Sequence, residues 1–317
     1  MKLLVTPTSF LSPENAEAKA KLEAFADTIV YNDLGTPLKG DELLKRLEGV
    51  DGYIAGLDYI TADVVKQMPA SVKVISRYGA GVDRVDIPAC KERGIIVTNT
   101  PAANATAVCE MAFGLMLCAA RNIPALHKAV EAGQWPRSNG MELAGKTLGI
   151  VGLGAIGKRL ALRAKAFEMN VIAFDPYFDA EFGKKNDIVC MDIDELFKAA
   201  DVVSLHVPLT DSTRHMVDAK RIQEMKRGSI IINTARGGLI DEEAAAEAVK
   251  SGQLRGLGLD AFEQEPLTDS PLKNLPGVVF TPHAGGHTTQ AISRMGMMAV
   301  DNCIQVLSGQ TSPYEIK

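Results

Sequence analysis

The stretch that most limits how this chain can fold is LGIVGLGAIGKRL, residues 148–160. An apolar run reaches Gly152-Leu153-Gly154, continues through Ala155-Ile156 to Gly157, and then turns basic. A strand that enters GxGxxG and opens a helix is a dinucleotide-type turn. The first glycine permits the tight turn, the second lets the backbone approach a pyrophosphate, and the third allows close helix–strand packing. The helix N-terminus then offers unpaired N–H groups and a partial positive charge to phosphates. The next apolar run, in VIAFDPY, ends at Asp175, about 20 residues on, where an acidic side chain grips an adenosine ribose. A carboxylate there repels a 2′-phosphate, so NAD is expected rather than NADP. A glycine motif used only for helix packing is the simpler alternative, and the ratio of NADH to NADPH dissociation constants separates the two.

The remaining pattern alternates short apolar runs with amphipathic stretches, which implies parallel sheets. In the first block the strands read as Lys2–Thr6, Thr28–Asn32, Gly52–Ala55, Val72–Arg77 and Ile95–Asn99, with helices such as Glu14–Ala26 and Asp41–Leu47 between them. Ala103 to Arg121 reads as a buried helix, broken by Asn122-Ile123-Pro124. The second block reads as six strands: Thr147–Gly152, Val171–Asp175, Val202–Val207, Ser229–Thr234, Gly256–Asp260 and Val278–Thr281. A final helix, Thr288 to Ser308, is expected to pack back onto the first block. The expected fold class is α/β, with two doubly wound parallel-sheet domains and a cleft between them. One is a flavodoxin-like substrate domain (1–99 plus 285–317) and the other a Rossmann NAD-binding domain (100–284). Crossovers fall near Asn99–Thr100 and Ala284–Gly286, where hinges often sit.

Composition excludes several classes. Net charge is −5, with no long basic run, so neither nucleic acid nor a membrane surface is an expected partner. The longest apolar run, Met111 to Ala120, is short for a membrane span, and MKLLVTPTSF lacks a signal-peptide core. The five cysteines form an odd set without CxxC spacing. Reduced thiols in a cytoplasmic protein are expected, and no metal site.

Chemistry is sought at strand ends of the second block, where such sheets place ligands. IINTARGGLID puts Arg236 in a glycine-rich turn, LDAFEQEPL carries Glu265, and VVFTPHAGGHTT presents His283. Each alone has an ordinary reading as a surface cation, a turn residue or a structural histidine. Together they suit a 2-hydroxy acid. Imidazole takes the hydroxyl proton near neutral pH, a carboxylate fixes its tautomer and stabilises the imidazolium, and a guanidinium fork holds the substrate carboxylate and C2 oxygen.

These motifs, with SRYGAGVDRVDI, NTPAANATAVCE, GKTLGIVGLGAIGKRLA and LHVPLTDSTRH, run from about Gly52 to Val300. They resemble the D-isomer-specific 2-hydroxyacid dehydrogenase family, close to its phosphoglycerate dehydrogenase branch. The resemblance implies that Arg236 binds the substrate carboxylate and keto oxygen, Glu265 supports the histidine, and His283 is the acid/base. It implies a cofactor site of Gly152, Gly154, Ala155, Ile156, Gly157, Asp175, Val207, Pro208, Thr213, Thr234, Ala235, Arg236, Asp260, His283, Gly285 and Gly286. It implies that Tyr78, Gly79, Ala80 and Gly81 hold the substrate carboxylate through backbone N–H groups of a nest, with Arg236 and His283. EAGQWPRSNGMEL, which contains Trp135, resembles the dimer-contact region, so a homodimer is expected.

The substrate is expected to be a small anionic 2-hydroxy or 2-keto acid, phosphorylated or not. The phosphoglycerate branch usually carries an arginine after the third strand. Here YIAGLDYITADVV has Gly56, Leu57, Asp58 and Tyr59 instead, and Asp58, if it faced the pocket, would repel a phosphate. Arg137 matches another phosphate contact of the family, while His287 stands at a varied position and is open between substrate contact and an exposed helix start. No regulatory domain is expected after Lys317. Formate enzymes of this architecture typically have Gln at the Glu265 position, which argues against formate. Phosphite oxidation stays open, as does a non-catalytic NAD(H)-sensing scaffold of the corepressor kind.

Overall fold

The computed structural model describes all 317 residues. They divide into two compact units: Met1–Asn104 with Gly286–Lys317, and Ala105–Gly285.

In the first unit five short runs form strands β1 (Lys2–Val5), β2 (Thr28–Tyr31), β3 (Gly52–Ala55), β4 (Val74–Arg77) and β5 (Ile96–Thr98). They pair in parallel in the order β2-β1-β3-β4-β5, the flavodoxin-like order. The inner strands β3 and β4 are buried throughout, Ser76 and Arg77 included, so neither shows the core-and-solvent alternation of a half-exposed strand. Helix starts follow local chemistry. Thr61 accepts from Val64 N–H ahead of Ala62–Gln67, and Asp86 accepts from Ala89 N–H ahead of Ile87–Glu92. The helix Thr289–Leu307 returns to this unit, and Ser76 Oγ on β4 donates to Ala299 O at 2.8 Å. Beyond it, Ile316 N–H donates to Val97 O at 2.8 Å and Glu315 bridges Thr98 antiparallel, covering the open edge of β5.

The second unit holds seven parallel strands, not six: β6 (Thr147–Val151), β7 (Asn170–Phe174), β8 (Val189–Cys190), β9 (Val202–Leu205), β10 (Ser229–Asn233), β11 (Leu254–Leu259) and β12 (Val278–Phe280). The strand missing from the sequence reading, β8, is two exposed residues at the sheet edge, too short for hydrophobic periodicity to reveal. The order is β12-β11-β10-β9-β6-β7-β8, so the winding reverses between β6 and β9, the switch point where such sheets bind ligands. Side chains alternate between two buried layers. Ile230 and Ile232 pack with Met116 and Ala119 of the helix Ala105–Arg121, while Ile231 faces the layer of Leu196 and Phe197. No single helix is long and apolar enough to cross a membrane.

The register fixes where chemistry gathers. Val151 lies opposite both Phe174 and Leu205, Asn233 opposite Leu205 and Leu259, and Leu259 opposite Phe280. The residues that follow these strand ends (Gly152, Asp175, His206, Thr234, Asp260 and Thr281) therefore form one row along the carboxyl edge.

Candidate active site

The glycine turn occupies the middle of that row. Gly152 has φ +96°, and a Cβ there would lie 2.6 Å from His206 O, so only glycine serves. A Cβ on Gly157 would lie 2.2 Å from Gly152 O, which shows how tightly the helix Ala155–Ala166 is seated on the turn. Gly154 is different. It is exposed, and a Cβ there would meet nothing within 4 Å. The turn thus presents open backbone at the helix N-terminus, the arrangement a pyrophosphate needs. Asp175 sits beside it, with Oδ2 accepting from Leu153 N–H at 2.7 Å and Oδ1 from Tyr177 N–H at 2.8 Å. Each oxygen keeps a further lone pair for a ribose hydroxyl. Nearby in the row, Thr234 Oγ1 is buried without a hydrogen-bond partner, as expected of a hydroxyl that completes its bonding only with a ligand. These residues fit a dinucleotide. Thr213 is engaged locally, its hydroxyl donating to Pro208 O and accepting from Thr210 N–H, both at 2.8 Å. Ala155 is exposed at the helix start, Ile156 is partly buried, and Val207 and Pro208 follow His206.

Arg236 is placed by the turn after β10. Asn233, fully buried, accepts from Ala235 N–H at 3.0 Å and donates to Arg236 O at 2.8 Å. Arg236 Nη1 donates to Ala235 O at 2.7 Å, and the residue makes at least one further interaction. A Cβ on Gly237 would overlap the Phe262–Glu263 backbone, 1.8 Å from Phe262 C. The arginine turn is thereby pressed against the segment that leads into Glu265.

His283 follows β12 with φ +53°, a left-handed conformation that a residue with a Cβ adopts only when its surroundings impose it. Asp260 imposes it. This carboxylate is 2% exposed; Oδ1 accepts from Thr281 Oγ1 at 2.6 Å and Ala284 N–H at 2.8 Å, and Oδ2 accepts from Gly285 N–H at 2.7 Å. His283 Nδ1 then stands 2.8 Å from Glu265 Oε1, which also accepts from Phe262 N–H at 3.3 Å. A carboxylate only accepts, so Nδ1 carries the proton and Nε2 is left as the basic nitrogen. The structure brings His283 and Glu265 into direct contact, with Asp260 beneath. Gly286 opens the other unit, next to Asn104, and His287 is exposed just before the helix-capping Thr288.

Two residues carry site roles that the motifs did not reveal. Asn233 holds the arginine turn from both sides; its signal is an Asn at a strand end before a glycine-rich turn. His206 packs its backbone against Gly152, and its Nε2 lies 2.9 Å from Ser204 Oγ. Burial pulls its pKa down to about 4, and Nδ1 is buried without a partner. A histidine ending an apolar strand was its signal.

In the first unit, the sequence reading of three residues changes. The Tyr78 ring is buried; its OH donates to Ile292 O at 3.1 Å and accepts from Asn15 Nδ2 at 3.3 Å. Its own N–H donates to Ala55 O at 3.0 Å. Tyr78 is therefore an anchor, and the Gly79 N–H is also engaged, donating to Thr100 Oγ1 at 2.9 Å, so of the four loop residues expected to offer N–H groups only Ala80 and Gly81 keep theirs unpaired. Asp58 is 1% exposed and accepts from Tyr53 OH at 2.6 Å, Leu38 N–H at 2.6 Å, Gly56 N–H at 3.1 Å and Thr6 Oγ1. It ties the loop after β3 from within, so the repulsion of a phosphate considered for it does not arise.

An imidazole held by a carboxylate, at the carboxyl edge of a sheet whose glycine turn suits a dinucleotide, is an arrangement that can serve a dehydrogenase. Comparison with known proteins agrees. Residues 113–285 match the family model for the D-isomer specific 2-hydroxyacid dehydrogenase, NAD binding domain. The chain is 42% identical over 314 residues to a D-3-phosphoglycerate dehydrogenase of Methanocaldococcus jannaschii, with 98% of this chain and 58% of that protein covered. It is 45% identical over 276 residues to a hydroxypyruvate reductase of Thermotoga maritima, with 85% of this chain and 89% of that one covered. The crystal structure of the TT0316 protein from Thermus thermophilus superposes with a TM-score of 0.89 at 38% identity, covering 100% of both chains. The chain belongs to the D-isomer specific 2-hydroxyacid dehydrogenase family. It spans 58% of the length of its Methanocaldococcus relative.

Proposed function

We propose that the protein interconverts a D-2-hydroxy acid and its 2-keto acid with NAD as the hydride carrier. The observation that carries this is the 2.8 Å bond between His283 Nδ1 and Glu265 Oε1 on the carboxyl edge of the dinucleotide sheet. In this reading residues 1–99 and 285–317 present the substrate and 100–284 the dinucleotide. Gly152, Gly154 and the Ala155–Gly157 helix start would hold the pyrophosphate, and Asp175 the ribose hydroxyls. Val207, Pro208, Thr213, Thr234, Ala235, Gly285 and Gly286 complete the surround.

NAD, when held by these residues, would supply the acceptor and donor of the hydride at substrate C2. His283 Nε2 accepts the hydroxyl proton during oxidation and returns it during reduction. Glu265 holds the ring and offsets the positive charge it acquires. Arg236 grips the carboxylate and the C2 oxygen with its planar fork, which a lysine cannot reproduce; Arg236→Lys should lower kcat/KM at least tenfold. The Ala80 and Gly81 N–H groups also bind the carboxylate.

The substrate is a small anionic acid. Arg137 lies in a segment, 131–140, that is exposed throughout, and this arginine serves a phosphorylated substrate if one is used. The helix Ile123–Glu131 has no buried residue, Ile123 and Val130 are 48% and 51% exposed, and Trp135 is 81% exposed. Unshielded apolar surface of this kind supports a homodimer through this face. Sedimentation equilibrium checks it, and a monomer at micromolar concentration refutes it. Free thiols, three of them buried, support a cytoplasmic setting.

The deciding experiment is a steady-state panel of 3-phosphoglycerate, glycerate, lactate and sulfolactate with NAD, and the matching keto acids with NADH. Turnover above ~1 s⁻¹ with one of them is expected. Tight NADH binding without turnover would instead mark a nucleotide sensor.

A further inference from the structure

The loop after β4 is held by its carbonyls. Thr100 N–H donates to Gly79 O at 3.1 Å, Asn99 Nδ2 to Ala80 O at 2.7 Å, and Arg77 Nε to Gly81 O at 3.1 Å. Gly79 N–H is used as well, on Thr100 Oγ1 at 2.9 Å. The N–H groups of Ala80 and Gly81 make no intramolecular hydrogen bond. In a trans peptide the C=O and the following N–H point in opposite directions. Holding Gly79 O therefore turns Ala80 N–H outward, and holding Ala80 O does the same for Gly81 N–H. Three successive acceptors are hidden and two adjacent donors displayed, the polarity an anion requires.

Of the donors, Asn99 is the one that works through a side chain from outside the loop and adds no charge. Its backbone is itself fixed. Asn99 N–H donates to Tyr314 O at 3.3 Å, and Asn99 O accepts from Asn302 Nδ2 at 2.9 Å. Because Ala80 O can only accept, the amide nitrogen must face it. We propose that Asn99 is a specificity-determining positioning residue. By holding Ala80 O it aims Gly81 N–H at the substrate carboxylate, and so sets the preference for 2-keto acids over uncharged keto compounds. This rests on the carboxylate-binding role given to the loop above.

The test compares Asn99→Ala and Asn99→Asp with the wild type, at saturating NADH, on the best keto acid of the panel and on its methyl ester. Asn99→Asp keeps the shape but has no donor, and its partly exposed position tolerates both changes. Losing one charge-assisted hydrogen bond should raise KM for the acid about tenfold. The ester KM should change less than twofold, kcat less than threefold, and the NADH dissociation constant not at all. The acid-over-ester preference should then fall about tenfold in both variants. Unchanged preference overturns the proposal, and so does an equal rise in both KM values, which would mean general damage to the loop. If the wild type turns over no acid of the panel, the carboxylate-binding reading itself falls and takes the proposal with it.

Discussion

His283 Nδ1 and Glu265 Oε1 lie 2.8 Å apart although the two residues are 18 positions apart in the chain. The two side chains are only 28% and 18% exposed, so their charge interaction is stronger than a surface pair's. The pair fixes which ring nitrogen is available and supplies a counter-charge when that nitrogen takes a proton. His283→Ala should lower kcat by roughly 10²–10⁴-fold, with NADH affinity within threefold of wild type by fluorescence titration. Glu265→Gln keeps an acceptor but removes the charge, and should lower kcat by about 10- to 100-fold. Full activity in His283→Ala would move the base elsewhere, and full activity in Glu265→Gln would remove the supporting role of the carboxylate.

The two ends of the glycine turn should respond oppositely to one added methyl group. At Gly154 a Cβ meets nothing within 4 Å. Gly154→Ala should leave the melting temperature within about 2 °C, but place its methyl where a phosphate would lie and weaken NADH binding at least tenfold. At Gly157 the Cβ would stand 2.2 Å from Gly152 O. Gly157→Ala must push helix from strand, at a cost of about 1–3 kcal/mol, read as a lower urea midpoint as well as lost NADH affinity. Calorimetry and titration on both variants separate the two effects.

Much of this architecture is written in local patterns. The strand ends at Asp175, Arg236 and His283 were legible because each is an apolar run followed by a polar or glycine-rich turn. The β8 strand was not, because two exposed residues, Val189 and Cys190, carry no period. Side-chain direction was also hidden. Tyr78 and Asp58 look like loop residues facing a ligand, yet their partners Asn15, Ile292, Thr6 and Leu38 come from distant segments and draw them inward. The support for His283 from Asp260 is likewise a tertiary fact, since the family likeness assigned Asp260 only to the cofactor. Local sequence gives where a turn falls; which way its side chains face depends on what the rest of the chain brings against it.

Asp175 should set the cofactor preference. Its carboxylate is held in place by Leu153 N–H at 2.7 Å and Tyr177 N–H at 2.8 Å, so it cannot swing away from an incoming 2′-phosphate without losing both bonds. Wild type should bind NADH at least 100-fold more tightly than NADPH, a gap of roughly 2.7 kcal/mol. Asp175→Ser should shrink that gap to tenfold or less, mainly by weakening NADH. Equal affinities in the wild type would remove the ribose role.

His206 gives the fold a pH-dependent weakness apart from catalysis. Its ring is buried in the neutral form, with a pKa near 4 where burial alone is the cause, against about 6.5 in an unfolded chain. Between those values the unfolded state binds the proton more readily, so stability rises with pH through this window. The contribution is fully present above about pH 6.5 and is lost as pH falls toward 4. A shift of this size corresponds to at most about 3 kcal/mol. His206→Asn keeps a polar group beside Ser204 but cannot titrate. Urea midpoints measured from pH 7.5 to 4.5 should therefore fall more steeply for the wild type than for the variant. Parallel curves would mean that the ring takes up its proton as easily folded as unfolded.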